Sequence, residues 1–194
     1  IGLFRRLAKE SGRPITITMI QSDARPDGWR ELMQQIDEAN GEGLRITAQI
    51  RSRPTSVLLG LELTQNPFMG RPSYRTIAHL PIAERVEILR QPEFRARLLA
   101  EAYEGSKRGA ERIERWDRMF PLGDPPDYEP AANRSIAAIA ARQGRTPSEV
   151  VYNVLMENDG KGILYLPVTN FASGNLDAVA EMMAAPNSLI EIGR

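Results

Sequence analysis

The sequence predicts an α/β fold with a parallel sheet, and two stretches carry that prediction. Residues 15–50 read strand, helix, strand: a β-branched run (Ile15-Thr-Ile-Thr-Met-Ile20), an amphipathic helix, then an alternating run (Leu44-Arg-Ile-Thr-Ala-Gln-Ile50). The order recurs over residues 160–192, with Gly162-Ile-Leu-Tyr-Leu-Pro-Val168, a polar turn, a helix and Ser188-Leu-Ile-Glu-Ile192. Strands joined through a helix run parallel, because parallel pairing needs a crossover of a dozen or more residues. Ligands of such sheets gather at the carboxyl ends of the strands.

The elements follow in order. Leu3, Phe4, Leu7 and Ala8 share one helical face over Gly2–Ser11, and Gly12 is a C-terminal stop. Pro14 leads into the first strand, whose β-branched residues favour extended backbone. A helix is expected over Asp27–Asn40, with Trp29, Leu32, Met33 and Ile36 on its apolar side and Gly41 beyond its end. Residues 52–128 break the rhythm and read as a mostly helical or loop insertion. Within them Pro54–Leu63 is an irregular or extended apolar segment, and Asn66-Pro67-Phe68, Gly70 and Pro72 mark loops. Pro81–Leu89 and Pro92–Tyr103 read as helices with proline near the start, where its missing N–H is tolerated. Opposite charges at three- and four-residue spacing make Lys107–Met119 a solvated helix, and Phe120–Asp127 is a turn-rich loop.

The regular pattern resumes near Asn133 with Ile136, Ile139 and Ala140 before Gly144. Thr146-Pro-Ser-Glu149 is a helix start: threonine caps, proline takes the first helical position and glutamate completes a capping box. Val150, Val151, Val154 and Leu155 supply the buried side, and Asp159-Gly160 ends the helix. A polar turn at Thr169–Gly174 then leads to a helix over Asn175–Ala185.

Composition narrows the function. The 194 residues suffice for one domain of ordinary size, and 42% hydrophobic with 26% charged residues is globular. Twenty-five basic residues balance twenty-five acidic ones, which gives no general attraction to nucleic acid or to acidic membranes. The absence of cysteine excludes disulfides, thiolate metal sites and a cysteine nucleophile within the chain. A single histidine, His79, cannot build an imidazole-rich zinc site. No apolar run reaches membrane-spanning length and no signal peptide is visible, so a cytoplasmic protein is expected. The chain opens on the apolar Ile1-Gly-Leu-Phe without methionine and ends two residues after its last expected strand. It reads as a piece of a larger α/β enzyme.

The run Ser135-Ile-Ala-Ala-Ile-Ala-Ala-Arg-Gln-Gly-Arg-Thr-Pro-Ser-Glu-Val-Val-Tyr152, with Gly160 and Asn175–Asn187, resembles the C-terminal half of the amidohydrolase barrel. Gly12–Thr18, Arg53-Pro54, Gly60-Leu61 and Asn66-Pro67-Phe68 fit the same D-aminoacylase, or N-acyl-D-amino-acid deacylase, branch. The resemblance implies a partial (β/α)8 TIM-barrel-like fold in which residues 15–21, 44–51, 162–168 and 188–192 are the last four strands. It implies hydrolysis of an acyl–nitrogen bond in a small N-acylated substrate, with zinc in intact relatives activating water. It also implies that the relatives' early metal ligands and late aspartate fall outside this chain, which is expected to be inactive alone. Where characterised members have histidine after the fifth strand, this chain has Thr18-Met19-Ile20-Gln21. Where they have an aspartate and tyrosine-rich run after the sixth, it has Ala48-Gln49-Ile50-Arg51-Ser52.

Within the chain no catalytic or metal-ligating set is expected. Gln21, Gln49 and Arg51 fall near the carboxyl ends of strands, and Asn170 in the corresponding loop after the third visible one. These four are the candidate substrate-binding residues, Arg51 through paired hydrogen bonds to a carboxylate. Gln21, Gln49 and Arg51 also read as polar groups that satisfy one another inside an incomplete barrel, and Asn170 as a turn residue. His79 has no partner nearby in sequence and reads as structural or superficial. Trp29 and Trp116 read as packing residues. The competing function is a non-catalytic ligand-binding or assembly module. Four consecutive barrel strands leave two unpaired edges, which predicts a homo-oligomer.

Overall fold

The computed structural model describes residues 1–191. In chain order it forms α1 (Gly2–Ser11), β1 (Ile15–Met19), α2 (Gly28–Gly41), β2 (Ile46–Arg51), β3 (Thr55–Gly60), α3 (Pro72–Ile77), α4 (Ile82–Leu89) and α5 (Pro92–Ala100). There follow α6 (Lys107–Ile113), β4 (Phe120–Pro121), a 3-10 turn (Ala132–Arg134), α7 (Ile136–Gln143), α8 (Pro147–Leu155) and a short turn α9 (Glu157–Gly160). The chain closes with β5 (Ile163–Thr169), α10 (Asp177–Ala184) and β6 (Ser188–Glu191). Ile192, expected at the end of the last strand, lies outside the described residues.

Two compact units result: residues 1–56 with 167–191, and residues 57–166. The first holds a parallel sheet in the order β1-β2-β6. Its register pairs Ile15 with Ile46, Ile17 with Ala48 and Met19 with Ile50. Because side chains alternate along a strand, these residues share one face. They pack with Ala8 of α1, with Trp29, Met33, Ile36 and Ala39 of α2, and with Val179 and Met182 of α10. The strand–helix–strand crossover expected from the sequence is therefore present. Leu32, expected on the apolar side of α2, is 36% exposed, since that side is centred on Ile36 and Ala39. Gly12 ends α1 in a left-handed turn with φ 65°, its N–H donating to Ala8 O.

The second unit is built on a separate core of Leu59, Phe68, Tyr74, Leu89, Leu98 and Val151 with their neighbours. Pro54–Leu63, read as irregular or extended, contains the strand β3, and the expected loop from Phe120 begins with the short strand β4. β4 pairs antiparallel with β5, and the sheet order is β3-β5-β4. This order departs from the barrel expectation, in which 162–168 separates 44–51 from 188–192. The structure instead pairs β2 directly with β6. The connection from β2 to β3 spans only residues 52–54, too short for a parallel crossover, so β3 leaves the first sheet and recruits β5 to the second. The expected helix over 107–119 ends at Ile113; the side chains of Lys107 and Arg108, which open its charged run, lie outside the described residues.

The start of α8 matches its signature. Thr146 Oγ1 accepts from Glu149 N at 3.3 Å, and Glu149 Oε2 accepts from Thr146 N at 2.8 Å. Those bonds from the Thr146 backbone and hydroxyl hold the Glu149 carboxyl below its ordinary range. The cap's contribution is complete above the unfolded carboxyl pKa and is lost as pH falls through the lower folded one. Between α8 and β5, Asn158, Asp159 and Gly160 take positive φ in succession (49°, 57° and 85°), reversing the chain. Gly162 then passes so close to α8 that a Cβ would meet Val154 O at 1.7 Å. Gly162→Ala is accordingly expected to displace α8 from β5 and lower the denaturation midpoint. Gly41→Ala, where a Cβ meets nothing within 4 Å, should be neutral or stabilise by up to ~1 kcal/mol. Equilibrium unfolding of both variants checks the contrast.

Candidate functional site

The face of the first sheet opposite its helices is polar on β1 and β2, while β6 adds the exposed Leu189. Thr16 pairs with Thr47, Thr18 with Gln49, Gln49 with Leu189, and Arg51 with Glu191. The Ile-Thr-Ile-Thr alternation of β1 thus sends isoleucine into the helical layer and threonine to the other side. Thr16 and Thr18 are exposed, while Thr47, Gln49 and Arg51 are half-buried. At the carboxyl end, Arg51 Nε donates to Glu191 Oε2 at 3.2 Å and Nη1 donates to Thr55 Oγ1 at 3.1 Å. The pair holds the guanidinium in place; with side chains 43% and 23% exposed, it contributes at most about 1 kcal/mol to stability.

Gln21 follows β1 and Asn170 follows β5, and the structure joins them directly. Gln21 N donates to Asn170 Oδ1 at 2.8 Å, and Asn170 N donates to Gln21 O at 2.9 Å. The Gln21 side chain accepts from Ala172 N at 2.9 Å and donates to Ser173 Oγ at 3.2 Å. Both residues are buried, Gln21 at 2% exposure and Asn170 at 0%. Asn170 adopts φ 62°, the left-handed region where asparagine is favoured over other non-glycine residues. Next to these bonds Ser22 bridges Thr169. Asn170 Nδ2 and Thr169 Oγ1 are buried without a protein partner among the described residues.

The four residues marked by the sequence therefore separate into two pairs. Gln21 and Asn170 form a closed amide clip between two strand ends, whereas Gln49 and Arg51 stand two residues apart on the polar face of β2. Sequence reasoning passed over Ser173, Thr16, Thr18 and Thr47, although the period-two threonines were a visible sign of a polar face. His79 lies on an exposed turn after α3. Trp29 is buried at 4%, as a packing residue should be, and Trp116 packs against the second core.

The donor set does not fit zinc. A zinc site needs three or four converging imidazole, thiolate or carboxylate groups. The strand ends and the turns after them offer Met19, Gln21, Arg51 and Asn170 with the carboxylates of Asp23 and Glu191, and no group of three or more His, Cys, Asp or Glu among the described residues is placed to hold a metal ion. Elsewhere, buried Arg71 donates to Leu98 O at 2.8 Å and Ser148 Oγ at 2.7 Å, tying the end of α5 to the start of α8. Burial pushes its pKa down against the opposing pull of Glu114 and Glu101. It braces the second unit. Among the described residues no helix is long and apolar enough to cross a membrane.

No protein-family model matches the sequence, and no curated protein matches it. Among solved structures the chain is similar to N-acyl-D-glutamate deacylase from Bordetella bronchiseptica, crystallised with zinc and a phosphonate inhibitor that mimics the tetrahedral intermediate. The identity is 14% and the TM-score 0.36, over 96% of this chain and 27% of that one. The chain thus spans about a quarter of that protein's length, and a likeness at this level fixes neither fold nor activity.

The clip yields a stability prediction. Asn170→Ala removes the acceptor of Gln21 N and leaves alanine at positive φ, so it should destabilise by about 1–3 kcal/mol. Asn170→Gly loses the same bond and relieves the backbone, so its loss should be smaller. Denaturant titration of the two variants separates the hydrogen bond from the backbone term.

Proposed function

We propose that the chain is the later, (β/α)8-derived part of an amidohydrolase-like protein of the D-aminoacylase branch, and that it binds a small N-acylated, carboxylate-bearing ligand. The observation that carries this reading is the polar face of the parallel sheet, which ends at the Arg51 guanidinium. Gln49 presents an amide able to donate to and accept from an acyl–nitrogen group, and Arg51 presents a planar fork that suits a carboxylate. A ligand carboxylate would exchange with Glu191 for the guanidinium. Gln21 and Asn170, 2% and 0% exposed, hold the strand-end loops and are not proposed to touch the ligand. The sequence resemblance supplies the substrate class.

Hydrolysis in the relatives draws on zinc, which supplies an ionised water and polarises the carbonyl. The strand ends of this chain do not offer the donors for that ion, so the chain by itself is proposed to bind without turnover. Isothermal titration with N-acetyl-D-amino acids in the presence of a chelator should show one site per chain. Arg51→Ala should weaken binding ~10-fold or more, equivalent to ~1.4 kcal/mol, with little change in melting temperature. Hydrolysis that persists through repurification and stops on chelation would contradict the reading, as would the absence of binding.

The alternative, an assembly module on the same fold, draws on one observation. β6 is an edge strand among the described residues, with Leu189 and Ile190 exposed at 55% and 56%. Unpaired edges with apolar side chains invite pairing with another chain. On this reading the chain is a homo-oligomer, and light scattering at micromolar concentration should give at least twice the chain mass of 21.7 kDa. A stable monomer would remove the alternative.

A further inference from the structure

We infer that the carboxyl ends of β1 and β5 are tied by an amide latch that takes the place of a bound cation, with Gln21 as its positioning residue. The inference rests on the amidohydrolase-like reading above, which leads one to expect a metal at the strand ends. A divalent ion at such a position cross-links segments distant in sequence and fixes the loops that carry them. Here the same task falls to four hydrogen bonds centred on one residue. The bond from Gln21 N to Asn170 Oδ1 spans 149 positions in sequence. Backbone O, Oε1 and Nε2 of Gln21 are engaged in turn by Asn170 N, Ala172 N and Ser173 Oγ.

Every polar atom of Gln21 is thereby used. With the Gln21 carbonyl and the Ser173 hydroxyl, the amide oxygens of Gln21 and Asn170 are the latch atoms able to ligate a hard cation. Each amide oxygen already accepts a backbone N–H, from Ala172 and Gln21 respectively. A cation drawing on them would compete with those bonds and would have to shed its water in a place that is 0–2% exposed. Neighbouring Met19, buried at 2%, packs in the helical layer and offers only a thioether. Neutral amides add no charge to offset the desolvation of a divalent ion, whereas they satisfy one another at no such cost. The latch also accounts for the left-handed φ of Asn170, because the turn there brings its Oδ1 and N–H together onto Gln21.

Two measurements on the full chain test this, and neither requires a substrate. The first is titration of the wild-type protein with Zn2+ and with Co2+, read by calorimetry, by the Co2+ visible spectrum and by melting temperature. The expected result is no stoichiometric uptake and no metal-dependent rise in melting temperature. The second is hydrogen exchange of residues 169–174 in Gln21→Met, which keeps the side-chain length and removes both side-chain bonds. Exchange at Ala172 should accelerate ~10-fold or more, while amides in α2 stay as protected as in wild type. Should Gln21→Met fail to fold, Ser173→Ala removes a single bond and should speed exchange at the same amides to a smaller degree. Stoichiometric metal whose removal loosens residues 169–174 would overturn the inference, and so would unchanged exchange at Ala172 in folded Gln21→Met or at residues 169–174 in Ser173→Ala. Ligand binding, measured separately with a chelator present, fails or succeeds independently of either result.

Discussion

Parallel pairing of residues 15–19 with 46–50 decides which side chains of the first unit meet helices and which are left on the opposite, polar side. With Ile15 opposite Ile46 and Met19 opposite Ile50, every second residue enters the layer filled by α1, α2 and α10. The intervening threonines, Gln49 and Arg51 are left on the other side. A shift of one residue would exchange the two sets, burying threonine and an amide against leucine and isoleucine. Apolar burial in the helical layer, at roughly 25 cal/mol per Å2, therefore holds the polar face in register, with the Arg51–Glu191 pair adding little.

The strand ends add what the register cannot. β1 and β5 belong to different sheets, and the Gln21–Asn170 clip, with the Ser22–Thr169 bridge beside it, joins the residues that follow them. It is made of neutral groups in a dry setting, where satisfied hydrogen bonds are worth keeping and unsatisfied ones are costly. The same setting explains why such residues make poor metal ligands. Amide oxygens that already accept backbone N–H groups in a buried place, and that carry no charge, hold a cation weakly.

Much of this was legible in local sequence. Gly12, the Thr146–Glu149 capping box and the crossover from Ile15 to Ile50 rest on short-range rules, and the structure follows them at those residues. β3 was not legible, because Thr55–Gly60 lacks clean alternation and is flanked by proline and glycine on either side. Strand order was also beyond reach: nothing near Ser188 announces pairing with Ala48 in place of residues 162–168. The site shows the same division. That Gln49 and Arg51 share one face follows from the alternation of their strand. That Gln21 and Asn170 would bond to each other could not, since the two lie 149 positions apart and only the fold brings them together.

The claim on which the rest depends is that the polar face, and not the helical layer or the clip, receives the ligand. Nuclear magnetic resonance titration of the isotopically labelled chain with an N-acetyl-D-amino acid tests it most directly. The account predicts shifts concentrated at Thr18, Thr47, Gln49 and Arg51, with the Gln21 and Asn170 amides still protected from exchange. Shifts confined to α2 and α10, or a spectrum unchanged at saturating ligand, would contradict it.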